Sequence, residues 1–210
     1  MSAGQGNTAG PSRGGAGEPV ADASRGWEAV AASFIAARSM IGADTLRSWA
    51  RLLPEGAAVL DLGCGAGIPV TQVLVSRGCR VHGVDASPTL VAAYRERFPS
   101  LPVACEPVET SGFFGRHFDA AVAVGLMFLL PEATQRDLIA RVAALLSPGG
   151  HFLFTAPSQV CSWNDLLTGQ ASRSLGTDDY ERTAAHAGLS IDREFTDEGE
   201  NHYFDFVKRP

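Results

Sequence analysis

A chain of 210 residues with 45% hydrophobic and 19% charged residues has the composition of an ordinary globular domain, which excludes disorder of the whole. The 17 Lys and Arg against 23 Asp and Glu leave a formal charge of −6. No run of basic residues is present to neutralise a row of phosphates, so neither nucleic acid nor an anionic membrane is an expected partner. The longest apolar stretch, Ala120 to Leu130, is interrupted by Gly125 and falls short of the about 20 apolar residues that a spanning helix needs, so no membrane segment is expected.

Residues 2 to 24 are Gly, Ala and Ser with scattered polar residues, and they lack the apolar core of a secretory signal. Residues 1–24 therefore read as a flexible tail on a cytoplasmic protein, and 25–210 as a single domain opened by lid helices over 25–54. Cys64, Cys79, Cys105 and Cys161 form no C-x-x-C pair. They are expected as reduced thiols, and no metal is expected.

Trp27, Val30, Ala31, Phe34 and Ile35 share one face of a first helix, and a second runs from about Ala43 to Leu53 before Pro54-Glu55-Gly56 breaks it. Ala57 to Leu60 is wholly apolar, as in a strand buried on both faces. From there strands and helices alternate: strand 57–61, helix 68–77, strand 80–84, helix 88–97, strands 101–105 and 117–124, helix 132–146, strand 150–156. Such alternation predicts a parallel sheet covered by helices. Ser87-Pro88 offers an N-cap followed by proline at the first helical position, and Ser147-Pro148-Gly149-Gly150 is a strong stop. A loop from Ser158 to Gly176 leads to a helix near 178–187, then to a hairpin of Leu189–Phe195 and Tyr203–Val207 that closes the sheet with antiparallel strands.

The informative segment is Val59-Leu60-Asp61-Leu62-Gly63-Cys64-Gly65-Ala66-Gly67, a buried strand ending in an acid and three glycines ahead of a helix. Glycines at alternate positions let the main chain turn sharply and approach a ligand, while the helix beyond offers free N–H groups. A dinucleotide fingerprint would read G-x-G-x-x-G, but the third glycine comes one residue early, at Gly67, with Ile68 next. The next strand ends in Asp85, where a carboxylate either accepts both hydroxyls of a ribose or serves only as an acid favoured by the helix dipole.

With Gly83-Val84-Asp85-Ala86-Ser87, Phe118-Asp119-Ala120-Ala121-Val122 and Leu146-Ser147-Pro148-Gly149-Gly150 following in order, the chain resembles the class I S-adenosylmethionine-dependent methyltransferases from about Trp27 to Val207. The resemblance implies an α/β, three-layer Rossmann-like methyltransferase fold. Its seven-stranded sheet is mostly parallel, with the last strand antiparallel and inserted beside the fifth. It implies S-adenosylmethionine as cofactor, with the Gly63-Cys64-Gly65 backbone at the methionine portion, Gly67 shaping the turn, Asp61 orienting the loop and Asp85 at the ribose. Ala86 and Val108 would flank the adenine, with Glu109 or Glu106 supplying an acid unless both are simply solvated; Pro107 departs from the family's commoner Gly-Asp-Ala. Gly125 would offer its carbonyl to the methionine amino group. Arg38 either lies near the cofactor carboxylate or is a solvated helix-end charge. Leu126, Met127 and Phe128 either face the substrate or pack in the core.

An activated methyl group needs mainly an aligned nucleophile and excluded water. For a hydroxyl acceptor a general base helps, and the hairpin turn places His202 as the catalytic candidate, beside Asn201 and Tyr203 as substrate contacts, unless His202 and Tyr203 only pack. The loop over 158–176, with Trp163 and Arg173, is expected to form the substrate wall together with Trp27 and Phe34. His82, His117, His151 and His186 read as structural. The size of the chain favours a small-molecule acceptor; glycine spacing disfavours a nicotinamide-dependent oxidoreductase, and a non-catalytic cofactor-binding or regulatory protein is the other alternative.

Overall fold

The computed structural model describes Met1 and residues 22–209. Most of the expected tail lies outside the described residues. Its last part does not fit the expectation, because Asp22–Ser24 already form the hydrogen-bonded approach to the first helix: Asp22 accepts from Ser24 N at 2.9 Å and from Gly26 N at 2.7 Å.

Two helices come first, α1 (Trp27–Ala37) and α2 (Ala43–Trp49), the latter running into a 3₁₀ turn at Ala50–Leu52. The alternating body follows as β1 (Ala58–Leu62), α3 (Val70–Ser76), β2 (Arg80–Asp85), α4 (Pro88–Arg97), β3 (Val103–Cys105), β4 (Phe118–Ala123), α5 (Glu132–Leu145) and β5 (Leu146–Thr155). A hairpin of β6 (Cys161–Asn164) and β7 (Ala171–Ser174), then α6 (Thr177–His186), β8 (Leu189–Thr196) and β9 (His202–Lys208) complete it. The main sheet has seven strands in the order β3-β2-β1-β4-β5-β9-β8. Strands β1 to β5 pair in parallel, and β9 is antiparallel to both β5 and β8. The sheet and the inserted last strand are those that the sequence motifs imply.

β1 is central and every residue in it is buried, which is why it carries no polar alternation. Ala58, Leu60 and Leu62 face one layer with Phe152, Phe154 and Phe204, while Val59 faces the other with Leu46, Trp49 and Leu153. α4 starts as its sequence demands, Ser87 Oγ accepting from Leu90 N at 3.2 Å with Pro88 at the first position.

Two expectations are corrected. Ser147-Pro148-Gly149-Gly150 follows the end of α5 at Leu145, as expected of a stop, but the strand expected from 150 already begins at Leu146, so the segment lies within β5 as an irregularity between the pairs Phe118–Leu146 and Ala120–His151. The expected loop over 158–176 contains the β6–β7 hairpin, a two-stranded sheet of its own. Its inward residues on β7 are Ser172 and Ser174, both buried, and Ser174 Oγ donates to Pro157 O at 2.6 Å. A strand whose buried face is serine carries no hydrophobic period and reads as loop.

Candidate active site

The order of the sheet reverses between β1 and β4, and the crevice beyond the carboxyl ends of strands at such a switch point is where open α/β sheets bind ligands. A cavity of about 360 Å³ lies there. Its floor is the turn after β1, where Gly63, Cys64 and Gly65 line it, together with Asp85 and Ala86 from the end of β2. Val108 and Glu109 from the loop before β4 and Gly125 after it close the sides, and Trp27, Phe34 and Arg38 of the α1 region form the roof.

The turn is held by the next strand. Asp85 Oδ2 accepts from Gly65 N at 2.9 Å and Oδ1 accepts from Ser87 N at 2.9 Å, so this carboxylate, which lines the cavity and keeps lone pairs to spare, ties the glycine turn to the start of α4. Burial raises its pKa above the ordinary carboxylate value, opposed by those two backbone donors. Gly65 has φ +53°, and a Cβ there would meet only Phe34 Cε1, at 3.6 Å. Among the described residues no packing forbids a side chain at Gly65, so a bare main chain at this point leaves room for a ligand.

Two residues implicated in the site lie beneath it rather than in its lining. Asp61 is 1% exposed and accepts from Thr71 Oγ1 at 2.6 Å; burial pushes its pKa up to about 7. Gly67 donates its N–H to Cys64 O at 2.9 Å and is packed against Tyr94 and Phe98. Cys64 is buried among neighbouring carboxylates, its thiol pushed well above the ordinary value by burial, so it is an inert wall rather than a nucleophile.

The roof is latched to the floor by pairs that the sequence does not announce. Glu28, in the first turn of α1, accepts from Ser87 Oγ, from Thr89 N at 3.1 Å and from Thr89 Oγ1 at 2.6 Å, capping α4 from outside. Arg25 donates to Glu109 Oε1 from Nε at 3.2 Å and from Nη2 at 2.6 Å. The acid expected at the adenine edge is thus already engaged by a guanidinium. Arg38 lines the cavity with Nε donating to Ile68 O at 2.7 Å and its guanidinium 5.0 Å from the centre of the Phe34 ring.

Arg141 on α5 is a further residue that sequence reasoning missed. Its guanidinium donates to Val108 O at 2.7 Å, to Glu109 O at 2.9 Å and to Ser111 O, and lies 4.5 Å from the centre of the Phe113 ring. One planar fork therefore fixes the loop that forms a side of the cavity. Arg141→Ala leaves these carbonyls without their charged donor and is expected to cost about 2 kcal/mol in urea unfolding, with Arg141→Lys recovering less than half because an ammonium cannot span the same fork. Equal stability of the lysine variant and the parent protein would show that only charge matters there.

The cavity is also lined by Ile41, Leu126 and Phe128 with Asn201 and Tyr203. Tyr203 donates its hydroxyl to Asp197 Oδ2 at 3.0 Å, and the same carboxylate accepts from Gly199 N at 2.9 Å and Asn201 N at 2.9 Å. Burial first, then the Asp197 charge, raise the Tyr203 pKa, so the phenol stays protonated.

Four expected site residues fall elsewhere. His202 does not line the cavity: alternation along β9 turns it to the other face, where Nε2 lies 2.7 Å from Glu194 Oε2 and the ring packs edge-on to Phe204. Met127 is 0% exposed and packs in the core, leaving Leu126 and Phe128 to face the cavity. Trp163 and Arg173 line a separate depression on the β6–β7 hairpin: Arg173 pairs with Ser162 on the outward face, whereas Trp163 pairs with the buried Ser172 and backs the site through Phe128, at 5.4 Å between ring centres.

Strand order, the glycine turn and the carboxylate ending β2 together define a Rossmann-like domain of the fold seen in methyltransferases. Residues 59–150 match the family described as methyltransferase domain, and with its relatives this supports a class I S-adenosylmethionine-dependent methyltransferase. Trans-aconitate 2-methyltransferase of Variovorax paradoxus is 35% identical over 107 residues, covering 50% of this chain and 40% of the relative. Ubiquinone biosynthesis O-methyltransferase of Xanthomonas axonopodis is 27% identical over 164 residues, covering 76% of this chain and 60% of the relative. The chain thus spans less than two thirds of the length of either curated relative. In fold it is similar to the CcbJ methyltransferase of Streptomyces caelestis, with a TM-score of 0.71 and 17% identity over 90% of this chain and 98% of that one.

Proposed function

We propose that this protein transfers a methyl group from S-adenosylmethionine to a small, largely apolar acceptor by in-line displacement. The observation that carries the reading is Asp85. A mostly buried carboxylate braced by Gly65 N and Ser87 N keeps acceptor capacity toward a cavity floored by bare glycine backbone, which suits a ribose with its adenosyl chain beside it. A volume of about 360 Å³ is within the ordinary range for small-molecule sites, and apolar walls with few polar groups set the character of the acceptor.

In this reading Asp85 would hold the ribose hydroxyls, the turn at Gly63–Gly65 the methionine portion, and Ala86 with Val108 the flanks of the base. When bound, the cofactor supplies a methyl group already activated by its sulfonium. The chain's own part is alignment and exclusion of water: Phe34 and Trp27 roof the cavity, Leu126 and Phe128 bound the acceptor end, and Tyr203, held protonated and aimed by Asp197, offers a fixed polar atom to orient the nucleophile. The cavity lining includes no histidine among the described residues, and Asp165 Oδ1 is occupied by Leu167 N, Thr168 N and Thr168 Oγ1. Orientation rather than a dedicated general base therefore drives the transfer.

Calorimetric titration with S-adenosylhomocysteine tests the reading. Asp85→Ala is expected to weaken binding by roughly 1–3 kcal/mol, the loss of charge-assisted hydrogen bonds, and NAD is expected to give no saturable heat. Unchanged affinity in the variant would remove Asp85 from the site. Release of S-adenosylhomocysteine from S-adenosylmethionine on addition of an acceptor distinguishes an enzyme from a binding protein.

A further inference from the structure

Away from the cavity, three strands bring a second group of donor atoms together. His151 on β5 and Asp205 on β9 meet with Nδ1 3.0 Å from Oδ1, and Asp192 on β8 joins them so that one donor atom from each lies within 4.8 Å of the others. A bulge puts Asp192 there: Ile191 pairs with Phe206 and Arg193 with Asp205, leaving Asp192 as the extra residue that the local kink re-aims. Asp205 is 0% exposed, and among the described residues its Oδ2 has no hydrogen-bond donor. A buried carboxylate oxygen without a donor is costly, so this position calls for positive charge. Arg193 meets the demand only in part. Its guanidinium is 2.7 Å from Asp192 Oδ2, yet Nε is 3.8 Å from Asp205 Oδ2, beyond hydrogen-bond reach.

We propose that His151, Asp192 and Asp205 form a binding site for a divalent transition-metal ion, Zn²⁺ in preference to Ca²⁺ or Mg²⁺, with Arg193 the competing cation. One imidazole with two carboxylates is a donor set for borderline ions, whereas Ca²⁺ and Mg²⁺ take oxygen alone. The 3.0 Å between His151 Nδ1 and Asp205 Oδ1 is close to the roughly 3.3 Å edge of a tetrahedron with metal–ligand bonds of about 2.0 Å. Trp49 stands edge-on to the His151 ring, 6.4 Å between ring centres, and shields that side, while the partly exposed Asp192 leaves a path from solvent and a position for water. An ion here staples β5, β9 and β8 together, and β9 is the strand that carries Tyr203 to the cavity. The site shares no residue with the cavity lining, so it stands or falls independently of the proposed methyl transfer.

The full chain, stripped with EDTA and dialysed, is titrated with Co²⁺ and followed by its visible d–d absorption; Zn²⁺ is added separately in thermal unfolding. The expected results are a single saturable Co²⁺ site displaced by Zn²⁺, and a Zn²⁺-dependent rise in melting temperature that EDTA reverses. Binding should weaken at least about tenfold in His151→Ala and in Asp192→Asn, as loss of a direct ligand must cost no less than loss of an outer partner. It should tighten in Arg193→Gln, where the competitor is gone. A Co²⁺ spectrum identical to that in buffer, or an affinity unchanged by both His151→Ala and Asp192→Asn, overturns the site.

Discussion

Gly67→Ala is expected to destabilise the protein by roughly 2–4 kcal/mol, read as a lower midpoint in urea with an unchanged slope. Two separate costs add. Gly67 sits at φ +81°, where an alanine pays about 1 kcal/mol or more against glycine, and its new Cβ would lie 2.4 Å from Phe98 Cε2 and 3.1 Å from Tyr94 Cδ2. Tyr94 is 0% exposed and cannot yield, while Phe98, half-buried and 5.3 Å from Tyr94 between ring centres, can. The double variant Gly67→Ala/Phe98→Ala should therefore show a coupling of about 1 kcal/mol or more, measured against Phe98→Ala alone, with the backbone cost remaining. Strict additivity would show that the ring does not press on this turn. Gly65→Ala is the control: its Cβ meets only Phe34 at 3.6 Å, so the fold should lose only the backbone cost while S-adenosylhomocysteine binding suffers.

The contrast between these glycines shows what the sequence can and cannot disclose. Their spacing announces a tight turn with a ligand-facing main chain, because the motif is local and complete within a few residues. Asp85 was legible for the same reason: its place at the end of a short buried strand, just before Ser87-Pro88, fixes where its carboxylate points. Which glycine serves packing and which leaves room for a ligand depends on Phe98 and Phe34, which come from α4 and α1 and share no local pattern with the turn. Glu28 looks like an ordinary first-turn acid of its own helix, yet it caps a different one. Arg141 looks like a charge on the solvent face of α5, and only the folded chain brings three carbonyls to it.

His202 was misassigned by parity. The hairpin and its turn follow from composition, but whether His202 or Tyr203 faces the cavity is decided by a pleat that reverses with every residue, and the pairing of Thr155 with Tyr203 settles it. Trp163 and Arg173 were misplaced because a polar hairpin with serine inside gives no period from which to tell inward from outward residues.

Asp61→Asn is expected to raise stability at pH 8 by roughly 2–4 kcal/mol, by about half as much or less at pH 5, and hardly at all below about pH 4. The folded carboxyl titrates at about 7 because burial outweighs the Thr71 hydroxyl that opposes it, against the ordinary value of 3.8 when the chain is unfolded. Between those values the folded protein holds a proton that the unfolded chain has released, so unfolding stability falls as pH rises. The contribution is fully present below about 4, and it is lost once the pH has passed about 7. An asparagine amide cannot ionise and can still accept from Thr71 Oγ1, so the fall is removed without leaving that hydroxyl unpaired. Thr71→Val should act in the opposite sense, raising the Asp61 pKa further and extending the decline to higher pH. Urea unfolding from pH 5 to 9 decides between them, and parallel profiles for the parent protein and Asp61→Asn would show that this carboxyl does not titrate in the folded state over that range. A residue that destabilises its own fold at neutral pH has to be offset by what it does for the site. Asp61 lies beneath the cavity with Asp85 in its lining, and ionising either carboxyl puts negative charge at the floor, so a cationic ligand lowers both pKa values as it binds. Binding of the sulfonium form at pH 6 is therefore expected to release protons, seen as a dependence of the observed heat on the ionisation enthalpy of the buffer. The uncharged thioether S-adenosylhomocysteine should release fewer, and Asp61→Asn should narrow the difference between the two.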